Sequence, residues 1–254
     1  MSLSTSIISP VSIPPLENGD RLTRPEFERR YQAMTQLKKA ELIAGVVYMA
    51  AAVRAKNHGK PHANIIGWLT AYEVTTPGVE TLDNATVRLD GDNQPQPDAL
   101  LRIETGGQSS ISEDDYVEGA PELIVEIAAS TASYDLHEKL KVYRRHEVQE
   151  YIIWRVYDVQ LDWFRLTDGE YLPLESNQNN IFCSQVFPGL WLDKNALLSG
   201  NLAEVLAMLQ QGIASQEFTF YLEGVYGMFK ASKYQTPCII FLWYDGGSGF
   251  FINF

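Results

Sequence analysis

The segment PELIVEIAAS, residues 121–130, constrains this chain more than any other stretch, because an unbroken apolar run of this kind belongs in a buried strand. It predicts a strand from Leu123 to Ala128 with Glu126 inside it. An ionised carboxylate taken out of water without a partner costs several kcal/mol. Glu126 therefore implies a bound cation, a buried ion pair or a strand end that reaches solvent.

Around this run the pattern alternates between strands and helices. Further strands are expected over Ala85–Leu89, Asp98–Ile103, Tyr151–Val156 and Gln160–Leu166, with shorter pieces near Tyr171 and Ile181. ELIAGVVYMA (Glu41–Ala50) reads as a strand broken at Gly45, or a hairpin. Helices are expected from Pro25 to Lys39, from Pro61 to Tyr72, from Asp135 (as N-cap) to His146, and from Asn201 to Gln211. The acidic loop ETGGQSSISEDDYVEGAP is too long for a tight hairpin. This order predicts an α/β fold with a central sheet flanked by helices and antiparallel neighbours in its centre.

Residues 1–18, with Pro10, Pro14 and Pro15, read as a flexible arm, 19–217 as the folded domain, and 218–254 as an aromatic-rich tail. The 254 residues, 45% of them hydrophobic, suffice for a full core. No run approaches the roughly 20 apolar residues of a membrane span and the start lacks a signal-peptide pattern, so a cytoplasmic protein is expected. Cys183 and Cys238 match no metal-ligand spacing. The net charge of -12 argues against a polyanionic partner, but it is uneven. From Arg21 to His62 nine Lys/Arg face three acids, residues 63–134 hold thirteen acids and two arginines, and His137–His146 returns to a net +3. Basic flanks around an acidic centre suit a metal-dependent enzyme acting on a polyanion; charged helix faces beside an acidic loop would look the same.

Asp98 heads its strand after QPQP, and two carboxylates on neighbouring strands can hold one hard cation. Lys139 lies four residues after Asp135 and four before Tyr143, so the three share a helix face; a solvated lysine paired with its i-4 acid fits the same spacing. Glu41 opens an apolar strand, as a rim salt bridge or as a third carboxylate. His58 and His62 could ligate a metal together only if both were helical, which Pro61 argues against.

The ordered set ELIAG at Glu41, His62, PDALL at Asp98, GAPELIVEIAAST ending at Thr131, DLHEKLKVY from Asp135 to Tyr143, EYIIW at Glu150 and FPGLWL at Phe187 resembles the Uma-two family of endonucleases, in the PD-(D/E)xK, or restriction-endonuclease-like, superfamily. The resemblance covers about residues 20–212. It implies Asp98 and Glu126 as acids binding Mg²⁺ or Mn²⁺ with the carbonyl of Ile127, Lys139 as the catalytic lysine, Glu41 as an additional acid, and Tyr143 and His62 in support. It implies DNA as partner and a homodimer. The superfamily's lysine usually stands two residues after the second acid, where this chain has Ala128; Lys139 replaces it from the following helix.

Residues 218–254 hold twelve of the chain's aromatics and depart from the family. That much aromatic surface must pack on the domain, pair across a dimer or join a sheet edge. The competing reading is a non-catalytic nucleic-acid-binding or scaffold module that keeps the acids for structure.

Overall fold

The computed structural model describes residues 13–49, 54–129 and 134–231; the first twelve residues of the expected arm and residues 232–254 of the aromatic tail lie outside them. Helix α1 (Arg24–Ala33) has Pro25 in its first turn and ends six residues before the expected Lys39, where Met34 leaves helical backbone. This frees Lys39 to reach across to Asp98. The segment ELIAGVVYMA is a hairpin: β1 (Ala40–Ile43) and β2 (Val46–Met49) join through Ala44 and Gly45, at φ 51° and 73°. A two-residue turn with left-handed backbone at both positions is the one that matches strand twist, and glycine takes it without strain.

A π turn (Ala55–Gly59) runs directly into α2 (Lys60–Glu73), with Pro61 in the first turn, where its missing N–H has no helical partner to lose. Strands β3 (Val79–Asp83), β4 (Val87–Arg88) and β5 (Ala99–Ile103) follow, the first unforeseen in the sequence. The acidic loop carries two short strands, β6 (Ser110–Ile111) and β7 (Val117–Glu118), which pair with each other, and β7 also pairs with β4. After β8 (Leu123–Ala128), a second π turn (Asp135–Lys139) leads into α3 (Leu140–Arg145). The expected N-cap role of Asp135 does not occur. Backbone at Tyr134 is already helical, so Asp135 stands within the helical path, buried beside Lys139.

The remaining elements are β9 (Glu150–Arg155), β10 (Gln160–Thr167), β11 (Glu170–Pro173), β12 (Ile181–Cys183), β13 (Trp191–Asp193), α4 (Lys194–Ser199), α5 (Leu202–Ile213) and α6 (Gln216–Ala231). Asn201 caps α5 by accepting from Glu204 N.

Six strands form the central mixed sheet in the order β11-β10-β9-β8-β5-β3. Within this sheet only β8 and β9 pair in parallel, and the second π turn with α3 makes the crossover that a parallel pair requires. One face packs Leu101, Val125, Ile127 and Trp154 against Trp68 and Leu69 of α2 and Val205 and Leu209 of α5. The other packs Leu100, Ile124, Ala128 and Ile153 against Tyr143 of α3. Burial on both faces explains why β8 is apolar throughout, and it places Glu126 on the α3 face between Ile124 and Ala128. A separate small core of Phe27, Leu42 and Val47 fixes the β1–β2 hairpin under α1.

Helix α6 crosses the boundary expected between residues 217 and 218, and Phe218 joins the main core, its ring 6.1 Å from Tyr72. At Gly189, φ 81°, a Cβ would meet that ring at 2.9 Å. Among the described residues, no helix is long and apolar enough to cross a membrane.

Candidate active site

The antiparallel register pairs Ala99 of β5 with Val125 of β8, which leaves Asp98 one residue beyond the ladder at the C-terminal end of β8. Its carboxylate continues the pairing: Oδ2 accepts from Ile127 N at 2.8 Å. Asp98 is thereby tied to the strand that carries Glu126. From α3, Tyr143 donates its hydroxyl to Glu126 Oε1 at 2.8 Å, and from the preceding π turn Lys139 donates Nζ to the same oxygen at 2.8 Å. The hairpin delivers the third acid, with Glu41 Oε1 2.9 Å from Lys139 Nζ and also accepting from Gln96 N at 2.8 Å. Asp135 Oδ1 stands 3.8 Å from the same ammonium. The four sequence candidates Asp98, Glu126, Lys139 and Glu41 thus converge, and all are buried. The i+4 spacings that a solvated lysine would share here place Lys139 inside, at 3% exposure, whereas Lys141 is exposed and paired with Glu138.

Asp98 has two further partners that the sequence did not suggest. Lys39 Nζ lies 3.3 Å from Oδ1 and His58 Nε2 3.2 Å from Oδ2. Contrary to the expectation from Pro61, His58 and His62 lie on one helical path, because Pro61 sits in the first turn of α2 and the π turn continues the path back through His58. The rings stand 5.8 Å apart. His62 Nε2 meets the Asp98 backbone oxygen at 2.8 Å and Asp83 Oδ1 at 3.0 Å. The four-residue spacing of the two histidines was the signal that could have found His58.

Four carboxyl groups, Glu41, Asp98, Glu126 and Asp135, stand around two ammonium groups, the buried Lys139 and the half-buried Lys39, so acids outnumber bases in the cluster. Burial pushes the Glu126 carboxyl up to about 8; Lys139 opposes this while Asp135, Asp98 and Glu41 add to it. Burial alone would lower the Lys139 ammonium, but Glu126, Glu41 and Asp135 hold it well above its usual range. Burial also works against ionised Asp98, yet the His58 hydrogen bond, Lys39 and the Ile127 N–H hold that carboxyl below the ordinary range.

An excess of buried carboxylate is what a hard divalent cation would relieve. Among the described residues, no three His, Cys, Asp or Glu side chains converge as a ready set of ligands. Mg²⁺ is suited to such a donor set, since it commonly keeps several waters and takes one or two carboxylates, with substrate phosphate completing the shell. Asp98 and Glu126 fit that requirement in kind.

Much of the basic flanking sequence is engaged in local ion pairs. Arg29 and Arg30 pair with Glu26, Arg24 with Glu118, Arg144 with Glu170 and Arg145 with Asp90. The charge asymmetry along the chain therefore reports in large part on neighbouring surface charges.

Residues 24–195 match the Uma2 family, described as "Putative restriction endonuclease". A crystal structure of "a putative nuclease belonging to DUF820" from Anabaena variabilis is similar in fold, with a TM-score of 0.53 and 13% identity over 68% of this chain and 97% of that one. No curated protein matches.

Proposed function

From the Uma2 family, to which this chain belongs, and from the convergence of Asp98, Glu126 and Lys139 at one strand end, we propose that the protein is a divalent-metal-dependent endonuclease acting on DNA in the cytoplasm. The observation that carries this reading is Lys139: a lysine from the helical segment after β8 reaches the strand's buried acid, where the superfamily's lysine would otherwise come from the strand itself. Asp98 and Glu126, with the Ile127 carbonyl, would hold Mg²⁺ or Mn²⁺, which when bound supplies an acidified water and stabilises charge on the phosphate. Lys139 acts as a cation. Its ammonium is too strongly stabilised to serve as the base, so it orients the attacking water and neutralises a phosphate oxygen. Glu41 keeps Lys139 in place, Tyr143 fixes the Glu126 carboxylate, and His62 braces the backbone at Asp98. A homodimer would let two such centres cut both strands.

The test is cleavage of supercoiled and single-stranded DNA with Mg²⁺ or Mn²⁺ across about pH 6–9, alongside calorimetric metal titration. Metal-dependent cleavage that is lost in Asp98→Asn together with metal binding is the expected result. Unchanged metal affinity in both Asp98→Ala and Glu126→Ala refutes the site, and light scattering that finds a monomer refutes the dimer. A second reading, a non-catalytic nucleic-acid-binding module, is favoured by the closure of Lys139 on three carboxylates. It is the conclusion if the unaltered protein binds DNA and never cuts it.

A further inference from the structure

Helix α2 and the π turn before it turn two sides to different surroundings: His58 and His62 point to Asp98, while Lys56, Lys60 and Asn64 line a cavity of about 210 Å³ on the opposite face of the sheet from Glu126. Trp154 of β9, Leu198 of α4 and Val159 complete the parts of its wall that matter. Three independent features make it a built site. Asn64 is 2% exposed, yet its Oδ1 is buried without a hydrogen-bond partner, a cost proteins rarely leave uncompensated. Lys56 and Lys60, both exposed at its mouth, enter none of the ion pairs among the described residues. Val159 holds φ 51°, a conformation unfavourable for a β-branched residue, and is 62% exposed at the rim. Strain of that kind recurs where a loop is shaped for a ligand.

We propose that this cavity binds a nucleotide, its base against Trp154 and the Asn64 carboxamide and its phosphate between Lys56 and Lys60. The volume is about seven times the share of one water in the liquid, room for a base but not for a whole nucleoside phosphate, so the phosphate lies at the lysine rim. A carboxamide offers one donor and one acceptor side by side, the complement of the adenine N6 and N7 edge. The ligand is either a free mononucleotide or an unpaired nucleotide of a strand, and the experiment separates the two.

Calorimetry on the full chain, with EDTA present, would compare AMP, adenosine, inorganic phosphate and a short single-stranded deoxyadenosine oligonucleotide. Binding of AMP, of the oligonucleotide or of both is expected, tighter than adenosine or phosphate alone. Binding of AMP alone assigns a free effector, and binding of the oligonucleotide alone assigns a strand. Asn64→Leu and the pair Lys56→Ala/Lys60→Ala should each weaken binding about tenfold or more. Asn64→Ser replaces Asn64→Leu if the latter does not melt like the parent. Absence of both AMP and oligonucleotide binding, phosphate binding as tightly as AMP, or undiminished affinity in either variant overturns the proposal. The same titration on Glu126→Gln, where affinity should be unchanged, keeps this result separate from the fate of the cleavage reading.

Discussion

The two ends of β8 each bury carboxylates, and they treat them differently. At the N-terminal end, Glu122 accepts from Ile103 N and Gln108 N, and Glu150 accepts from Gln185 N, Val186 N, the Ser184 hydroxyl and the Trp163 indole. These acids staple loops to the sheet through uncharged donors. At the C-terminal end, Glu126 meets an ammonium and a phenol among three other acids. Burial alone therefore says little about chemistry; the charge and mobility of the partners distinguish a fastener from a reactive centre. Backbone donors cannot leave, whereas a lysine side chain can be re-aimed toward a ligand.

The comparison breaks most sharply in activity. Glu126→Gln should lower metal-dependent DNA cleavage by roughly 100-fold or more, and Glu150→Gln should leave the rate of the folded protein near the parent's. Similar losses in both, measured at matched folded fraction, would erase the distinction. Next comes Lys139→Ala, which strands three buried carboxylates and should cost about 3–5 kcal/mol in urea unfolding, against under about 0.5 kcal/mol for the exposed Lys141→Ala. Equal values for the two lysines would show the cluster to be energetically idle. Glu150→Gln should cost about 1–3 kcal/mol, because its amide must turn a donor toward the Ser184 hydroxyl and Trp163 N–H or toward the two backbone donors.

The remaining comparison is in pH. With its carboxyl raised to about 8, native Glu126 holds a proton that the unfolded chain releases near 4.5, so its contribution makes stability fall as pH rises between those values. Asp98 has the opposite sign: its lowered pKa stabilises the fold above the ordinary carboxylate range, a gain lost as pH falls below it. Thermal melting should show a declining limb from about pH 5 to 8 that Glu126→Gln flattens. Mg²⁺, competing with the proton, should raise Tm more at pH 8 than at pH 6. A limb unchanged by Glu126→Gln places the titration elsewhere.

Periodicity marked Leu123–Ala128 to the residue because a strand covered on both faces leaves no ambiguity of pattern, and a charge inside such a run stands out. Glu41, Asp98 and Lys139 were legible from motif order, whose spacing survives folding. Val79–Asp83 was not, since VETLD at a sheet edge is only half-covered and carries charged residues. Lys39 was hidden because α1 stops early at Met34, which no local breaker announces. His58 was hidden by giving Pro61 the weight it has in a helix interior, when its position was the first turn. The fate of Phe218 required tertiary contacts: the close approach to Gly189 brings together residues 29 positions apart.

Both helical segments that serve the site contain a π turn, Ala55–Gly59 carrying His58 and Asp135–Lys139 carrying Lys139. Such a turn is one residue longer than the α turn it replaces. Loss of a single codon in either stretch would restore ordinary helix and rotate everything upstream by about 100° relative to everything downstream. Insertions and deletions, more than substitutions, are thus the mutational steps able to assemble or dismantle this constellation at one stroke. Gapless alignment across either turn will compare residues that occupy different sides of the helix.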